Sequence, residues 1–333
     1  MGQALCAEFP EAKAVFDEAD AAFAAAAGGP EDPPLRQSSE SRVGAEGPPR
    51  QSLDRSLVGA DLQVRLTDLI FRGPEGQLTL TENTQPAILS TSVAAYRVLA
   101  ARGVEPAFVA GHSLGEYSAH VAAGTMALAD AVGIVRRRGR YMQEALPVGH
   151  GAMAAILGLD ADAVRQACEE GAEGEVVSAA NINGGGQVVI AGTAAAVGRA
   201  CARAKALGAR RAIPLPVSAP FHCALMKPAE DRLAPELRAL AVRDPRIPVV
   251  ANVDAEPKRD ARAAIEALVR QVSLPVLWEE VVRRLASEGV TTYVEVGPGT
   301  VLSGLVKKIH PAATTVSFAA PTDLAAIEDA LRR

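Results

Sequence analysis

Apolar residues follow two patterns along the chain, a helical period and short continuous runs that are typical of buried strands. The helical period predicts helices at 3–27 and 57–71, and a loop that leads into a long helix within 81–102. A helix of small residues follows and ends at Gly124. Further helices are predicted at 128–145, 161–171, 194–207, 261–272 and 278–288, and others begin after residue 222 and at Val301. The apolar runs predict strands at 107–111, 153–159, 176–183, 187–192, 210–217, 247–253 and 291–297. Strands that alternate with helices indicate an α/β protein with a mostly parallel sheet.

The middle of the chain has a different order of elements. Its β-α-β-β-α-β succession is typical of a ferredoxin-like unit. We therefore predict an α/β hydrolase-like core formed by residues 1–148 and 217–333, with a smaller ferredoxin-like subdomain inserted at 149–216. Residues 28–54 are rich in Pro, Gly, Ser, Arg and Glu and have few large apolar side chains. Such a segment cannot bury enough surface to offset its chain entropy, so we expect a disordered insertion.

Composition narrows the class of protein. A formal charge of −5 and an aromatic content of 4% over 333 residues argue against nucleic-acid binding, which needs basic clusters and aromatic faces. The four cysteines form no CxxC pair, so neither a disulfide framework nor a structural zinc site is expected. No signal peptide is evident at the start, and no run reaches the ~20 apolar residues of a membrane span. We expect a soluble, cytoplasmic protein.

The strongest local signal is the pentapeptide Gly111-His112-Ser113-Leu114-Gly115 between a predicted strand and a predicted helix. A serine in the pattern GxSxG at such a junction is typical of a nucleophile elbow, a sharp turn that lifts the hydroxyl clear of the sheet. The N–H of Leu114, at the helix N-terminus, would point to where an oxyanion forms. The alternative is a serine that only caps the helix.

A serine nucleophile needs a base, and five histidines are available. His112 adjoins the serine and is expected to pack beside the site, whereas His120 lies in a predicted helix. His150 and His310 lie in a loop and at a helix end. His222 follows a predicted strand, at the sheet edge where α/β sites assemble, so the residues favour it without excluding the others.

Several separated segments resemble the malonyl-CoA:acyl carrier protein transacylase family, in the order and spacing of that family from about Leu69 to the C-terminus. They are GHSLGEYSA at 111–119, RGRYMQEALP at 138–147, VSAPFHCALMKP at 217–228, TENTQPAIL at 81–89, NINGGGQVVIAG at 181–192, LVRQ at 268–271 and VEVGPGTVLSGL at 294–305. The resemblance implies that Ser113 becomes malonylated and that His222 is general base and then general acid. It also implies that the backbone carbonyl of Gln271 orients the histidine in place of a triad carboxylate.

The resemblance also implies substrate contacts. Arg138 would bind the free carboxylate of the malonyl group with its planar fork, although an arginine in a basic helix is otherwise a solvated one. Phe221 would crowd an α-methyl branch, and Met142 would line the same pocket unless it belongs to the core. Asn181, like Asn183 and Gln187, would face the cleft or else form turns.

The same resemblance implies the substrates and the partner. Malonyl-CoA donates the acyl group and phosphopantetheinylated acyl carrier protein accepts it, by a ping-pong mechanism in fatty-acid biosynthesis. No metal, nucleotide or redox cofactor is implied, and we expect a monomer.

Members of that family begin with a strand and a loop of the type FPGQGSQ, which has no counterpart here. Met1 to Leu5 align best just after that loop, so Gln3 is not assigned the role of the loop glutamine. We hypothesise that the natural protein starts upstream. Three alternatives remain: a serine thioesterase or hydrolase, which would not need Arg138; an impaired, carrier-binding module; and a discrete acyltransferase of a polyketide synthase.

Overall fold

A computed structural model describes residues 1–27, 65–217 and 219–332, and shows a mixed α/β protein. The predicted insertion at 28–54 and the first part of the helix predicted at 57–71 lie outside the described residues. The helices are α1 (Gln3–Glu8), α2 (Pro10–Ala27), α3 (Leu66–Arg72), α4 (Glu75–Leu78), α5 (Thr81–Ala100), α6 (Leu114–Ala123), α7 (Leu128–Glu144), α8 (Ala161–Ala172), α9 (Ala194–Ala206), α10 (Lys227–Arg238), α11 (Ala261–Gln271), α12 (Trp278–Ser287), α13 (Val301–Ile309) and α14 (Leu324–Leu331). The strands are β1 (Val109–Ala110), β2 (Gly151–Leu157), β3 (Val177–Gly184), β4 (Gln187–Thr193), β5 (Arg211–Pro214), β6 (Val249–Val250), β7 (Pro257–Lys258), β8 (Thr292–Val296) and β9 (Thr314–Phe318).

The strands of the described residues form three groups. In the first, β1 and β6 are parallel and β7 joins β6 in the antiparallel sense. In the second, β8 and β9 form a parallel pair. The strands β2 to β5 form the third group, an antiparallel sheet. Parallel pairing therefore dominates outside the antiparallel sheet, and it places the carboxyl ends of β1 and β6 side by side.

The antiparallel sheet has the strand order β3-β4-β2-β5. If the four strands are numbered 1 to 4 along the chain, the order read from the β5 edge is 4-1-3-2. The helices α8 and α9 pack together on one face, around an apolar cluster of their own. Side-chain caps begin both helices, since Asp160 accepts from the Ala163 N–H at 2.8 Å and Thr193 accepts from the Ala196 N–H at 3.4 Å. The other face packs against the segment 221–225, which carries His222.

The largest apolar cluster joins α1, α2, α3, α5, α6, α7, α10 and α11, with Phe16, Tyr117 and Ile134 almost fully buried. A further cluster lies around α12 and α13 and includes Val250 of β6. On the other side, Val249 of β6 packs against Ala119 and Ala123 of α6. The short first group of strands is therefore covered by helices on both faces, as parallel strands require. Within the described ranges no helix combines the length and the apolar character of a membrane span.

Several predicted boundaries differ from those observed: the helix predicted at 3–27 is divided at Phe9, and the strands predicted at 107–111 and 210–217 are shorter. Two further differences lie close to the serine site or its supporting helices. The long helix begins at Thr81 without a preceding loop, so Pro86 lies in its second turn. Side chains support this earlier start, because Asn83 and Thr84 donate to the carbonyls of Gln77 and Leu78. The strand predicted at 247–253 is paired only at Val249–Val250. The chain beyond turns away from the strand, and the side chain of Asn252 accepts a hydrogen bond from the Ser113 N–H.

Candidate active site

Ser113 lies at a strained turn between β1 and α6. Its φ of 52° and ψ of −102° lie outside the ordinary regions for a side chain with a Cβ. Gly111 permits the tight approach, because a Cβ there would lie 2.0 Å from the carbonyl carbon of Gly115. A strained serine at a strand–helix junction is the geometry that the GxSxG pattern predicts.

Two long-range side chains hold this turn. The Oδ1 of Asn252 accepts from the Ser113 N–H at 2.7 Å, and its Nδ2 donates to the Gly111 carbonyl at 2.8 Å. The Nε2 of Gln271 donates to the Ser113 carbonyl at 2.9 Å. Asn252 and Gln271 are both fully buried. The strain at Ser113 therefore persists because groups on both sides of the serine fix its backbone.

The hydroxyl of Ser113 faces His222. Its Oγ lies 2.7 Å from the Nε2 of His222, and the Nδ1 of His222 lies 2.9 Å from the backbone carbonyl of Gln271. That carbonyl can only accept, so Nδ1 carries the hydrogen and Nε2 is left as the acceptor for the serine proton. The structure thus brings together Ser113, His222 and Gln271, three residues named from the sequence.

The charge on His222 is disfavoured in this environment. Burial first, and then the nearby Arg138 cation, lower the pKa of His222 to about 3. The imidazole is therefore neutral at physiological pH and free to accept a proton. Its own φ of 60° marks a second strained position facing the serine.

Arg138 is the buried cation of the site, with 2% of its surface exposed. Its Nη1 donates to Gln85 Oε1 at 2.7 Å, and its Nη2 donates to Ser113 Oγ and to Gln271 Oε1, both at 3.0 Å. Burial lowers the pKa of Arg138, yet a guanidinium stays protonated in proteins. All its hydrogen-bond acceptors here are neutral oxygens, so the site holds a desolvated cation that a carboxylate would complement.

Glu116 is the buried carboxyl group behind the serine, at 0% exposure. Its Oε2 accepts from the Asn252 N–H at 3.0 Å and from Gln271 Nε2 at 2.7 Å. Burial raises the pKa of Glu116 to about 7, although these two hydrogen bonds favour the charged form. One carboxylate oxygen thus contacts both residues that hold the elbow, through the backbone of Asn252 and the side chain of Gln271.

The other residues named from the sequence are distributed unevenly. The Leu114 N–H, at the N-terminus of α6, has no acceptor within the described residues, and Phe221 is half-buried against the His222 segment. Met142 is buried in the largest apolar cluster, where it packs as a core residue. Asn181 is buried on β3, which hydrogen-bonds to Val276.

The remaining histidines and small-sheet polar residues have other contacts. The Nε2 of His112 lies 2.9 Å from Asn183 Oδ1, and its ring packs against Trp278. His120 is buried with Thr125, 3.3 Å away, as a structural histidine. Gln187 lines a surface cavity of about 420 Å³ that contains none of the serine-site residues.

Sequence reasoning missed Gln85, Glu116, Asn252 and the side chain of Gln271. Glu116 was signalled by an acidic residue among small and apolar ones in LGEYSAHVAA, which indicates a buried carboxylate. Asn252 had a weaker signal, its place just after a strand at the sheet edge. Nothing local distinguished Gln85, whose role depends on Arg138, 53 residues away in the chain.

A family model and several known proteins match this chain. Residues 48–320 match the family model described as the acyl transferase domain. The malonyl CoA-acyl carrier protein transacylase of Escherichia coli (strain K12) is 53% identical over 270 residues, which are 81% of this chain and 87% of that protein. The protein of that name from Bacillus subtilis (strain 168) is 49% identical over 78% of this chain and 82% of its own.

Solved structures are similar over nearly the whole fold. The malonyl CoA-acyl carrier protein transacylase from Coxiella burnetii has a TM-score of 0.86 at 35% identity, and covers 100% of this chain and 93% of its own. A malonyl-transacylase in complex with a type II PKS acyl-carrier protein has a TM-score of 0.84 at 40% identity, with 100% and 94% covered.

Proposed function

Because the chain belongs to the malonyl CoA-acyl carrier protein transacylase family, we propose that it transfers malonyl groups from malonyl-CoA to the phosphopantetheine thiol of acyl carrier protein. The reaction class is that of an [acyl-carrier-protein] S-malonyltransferase, which supplies fatty-acid biosynthesis. The single observation that supports it best is the placement of a desolvated guanidinium, Arg138 Nη2, 3.0 Å from the Ser113 oxygen that would carry the acyl group. A malonyl ester at Ser113 would bring a free carboxylate to that cation.

The first half-reaction would acylate the serine. As Ser113 Oγ attacks the thioester carbonyl carbon, His222 Nε2 takes the hydroxyl proton, and the Gln271 carbonyl stabilises the resulting imidazolium through Nδ1. The Leu114 N–H at the start of α6 would donate to the oxyanion. Collapse of the tetrahedral intermediate breaks the C–S bond, and CoA leaves as a thiol with the proton from His222.

The second half-reaction runs the same steps with a different thiol. The phosphopantetheine thiol of acyl carrier protein gives its proton to His222 and attacks the malonyl ester carbonyl. The C–O bond to Ser113 then breaks, and His222 returns the proton to Oγ. Because one thioester replaces another, the protein mainly has to lower the barrier and exclude water.

Selectivity would follow from the residues around the acyl group. Arg138 would be left without a charged partner by an acetyl group, so the buried cation disfavours that substrate. Phe221, next to His222 in the chain, would crowd an α-methyl branch and disfavour methylmalonyl. Asn181, on β3, would shape the wall of the cleft.

The fold supports a finer architectural proposal. The 4-1-3-2 strand order and the α8–α9 layer support a ferredoxin-like subdomain at 149–216. The strained serine between β1 and α6 supports a hydrolase-like core formed by residues 1–148 and 217–333. Ser113, His222, Gln271 and Arg138 all come from one chain, so we propose that a monomer is sufficient, and the proposed substrates suggest a cytoplasmic location.

Mass spectrometry of the intact protein after exposure to malonyl-CoA tests this function. We expect one added malonyl mass on Ser113, which is lost on addition of phosphopantetheinylated acyl carrier protein as the carrier gains that mass. Ser113→Ala should gain none. Predominant release of free malonate would instead indicate a hydrolase, and carrier binding without acylation of Ser113 would indicate a noncatalytic module.

A further inference from the structure

The buried carboxylate of Glu116 touches neither the nucleophile nor the base, yet it contacts the amide of Gln271. That amide has two ends with opposite polarity. Its Nε2 donates to Glu116 Oε2 at 2.7 Å, and its Oε1 accepts from Arg138 Nη2 at 3.0 Å. Glu116 and Arg138, both buried, are thus joined through a single side-chain amide.

The direction of the amide is determined by the groups at its two ends, with the Ser113 carbonyl as a second acceptor for Nε2 at 2.9 Å. A carboxylate can only accept, and a guanidinium can only donate. If the amide were reversed, its oxygen would face Glu116 and its NH2 group would face Arg138, and both contacts would be lost in a buried environment. An unmatched buried group of this kind is costly, so one orientation is strongly preferred.

The preferred orientation also fixes the guanidinium. Gln271 Oε1 and Gln85 Oε1 accept from the two terminal nitrogens of Arg138, one on each side. These two acceptors hold the plane of the fork beside Ser113 Oγ. Loss of the Gln271 contact would leave Arg138 held from one side only, and bidentate binding of a carboxylate depends on the angle of that plane.

We propose that Glu116 is a positioning residue for acyl-group selectivity: by orienting the Gln271 amide it holds Arg138 in the plane that receives the free carboxylate of the acyl substrate. This inference rests on the proposed malonyl transfer. It separates two functions of Gln271. Its carbonyl orients His222 and its Nε2 supports the Ser113 turn for any acyl group, whereas its Oε1 matters for a carboxylated one.

A set of isosteric variants tests the proposal, with kcat/KM measured for malonyl-CoA and for acetyl-CoA at pH 8. Glu116→Met removes the acceptor and keeps the volume, and we expect the malonyl-to-acetyl ratio to fall by about 10- to 100-fold, as for a lost charged hydrogen bond. Glu116→Gln keeps an acceptor oxygen for Asn252 and Gln271, so its ratio should stay within about threefold of wild type.

The double variant distinguishes positioning from simple support. Gln271→Met keeps the backbone carbonyl and removes the amide, and should lower the ratio by a similar factor. Because Glu116 acts through that amide, Glu116→Met should lower the ratio little further in the Gln271→Met background. Should Glu116→Met fail to fold, Gln271→Met alone decides, and an unchanged ratio there would overturn the proposal.

Glu230→Met is the matched control. Glu230 is another buried glutamate, on α10, and it bonds Ser273 two residues past Gln271 without contacting the amide. Its loss should change malonyl and acetyl transfer by the same factor. Equal losses of both transfers in Glu116→Met, or additive ratio losses in the double variant, would refute the positioning role. A wild-type chain that acylates Ser113 without preferring malonyl would refute the proposed function instead.

Discussion

Replacement of Arg138 by alanine is the sharpest test of how the site would choose its acyl group. The side chain is 2% exposed, and its acceptors within the described residues are the neutral oxygens of Gln85, Ser113 and Gln271. A malonyl carboxylate would therefore be the first charged group to hydrogen-bond to it. Arg138→Ala would leave that carboxylate buried and uncompensated next to Ser113.

The magnitude follows from the burial. Removing one partner of a buried ion pair costs about 3–5 kcal/mol. Applied to the transition state, this is a fall of roughly 150- to 5,000-fold in kcat/KM for malonyl-CoA. An acetyl group has no carboxylate to lose, and the variant removes the unpaired cation beside it. We expect acetyl transfer to change by less than about fivefold, so the preference for malonyl should largely disappear.

The assay measures kcat/KM for both thioesters with acyl carrier protein as acceptor. Arg136→Ala is the matched control, because Arg136 lies on the same helix but faces away, with Nη1 donating to the Phe23 carbonyl at 2.7 Å. It should leave the malonyl-to-acetyl ratio unchanged. Equal losses of malonyl and acetyl transfer in Arg138→Ala would refute carboxylate recognition by this residue.

Three other perturbations have defined outcomes. His222→Ala should lower malonyl transfer by about 10²- to 10⁴-fold with an unchanged circular dichroism spectrum, and a near-normal rate would rule out its role as base. Gly111→Ala should lower the free energy of unfolding, measured in urea, by about 1–3 kcal/mol or more, because the added Cβ would clash with the backbone of Gly115. Gly115→Ala is the control and should be neutral or stabilising, because there is open space at its Cβ. Equal effects of the two variants would contradict the close approach. Burial lowers the pKa of His120 to about 3, so the folded chain binds fewer protons than the unfolded one between pH 6.5 and 3, and this histidine reduces stability as pH falls. When the pH is lowered from 7 to 5, the free energy of unfolding of His120→Asn, measured in urea, should therefore fall by roughly 2 kcal/mol less than that of wild type. An identical pH dependence of the two proteins would show that His120 is not buried in its neutral form.

Most elements and the candidate nucleophile Ser113 could be predicted from the sequence because their signals are local, whereas the family resemblance was needed to select His222 among five histidines. The GxSxG pattern, the strand before it and the helix after it lie within one short segment, and β2 to β5 follow the predicted order of the insert. Family resemblance added Arg138 and the carbonyl of Gln271, since neither has a distinctive local pattern. The resemblance also suggested that Met142 lines the substrate pocket. The alternative was a position in the apolar core, which is where Met142 lies.

The groups that support the serine were beyond prediction for a physical reason. Asn252 is 139 residues from Ser113 in the chain and Gln271 is 158 residues away, so only the folded chain brings their amides to the elbow. A neutral amide has no periodicity or charge that distinguishes it from a surface residue. The boundary at Thr81 was missed for a similar reason, because contacts between the side chains of α5 and the carbonyls of α4 stabilise the early turn.

The use of a carbonyl in place of a carboxylate to orient His222 links recognition to catalysis. A carbonyl offers no full negative charge to balance Arg138, so that cation helps to keep the pKa of His222 at about 3 while it also donates to Ser113 Oγ. An arriving carboxylate would pair with Arg138, weaken the repulsion of a proton on His222 and compete for the N–H that holds the nucleophile. An acetyl group would do neither. Thus the group that is recognised would also make the serine and its base more reactive, and selectivity would be exerted in the chemical step as well as in binding.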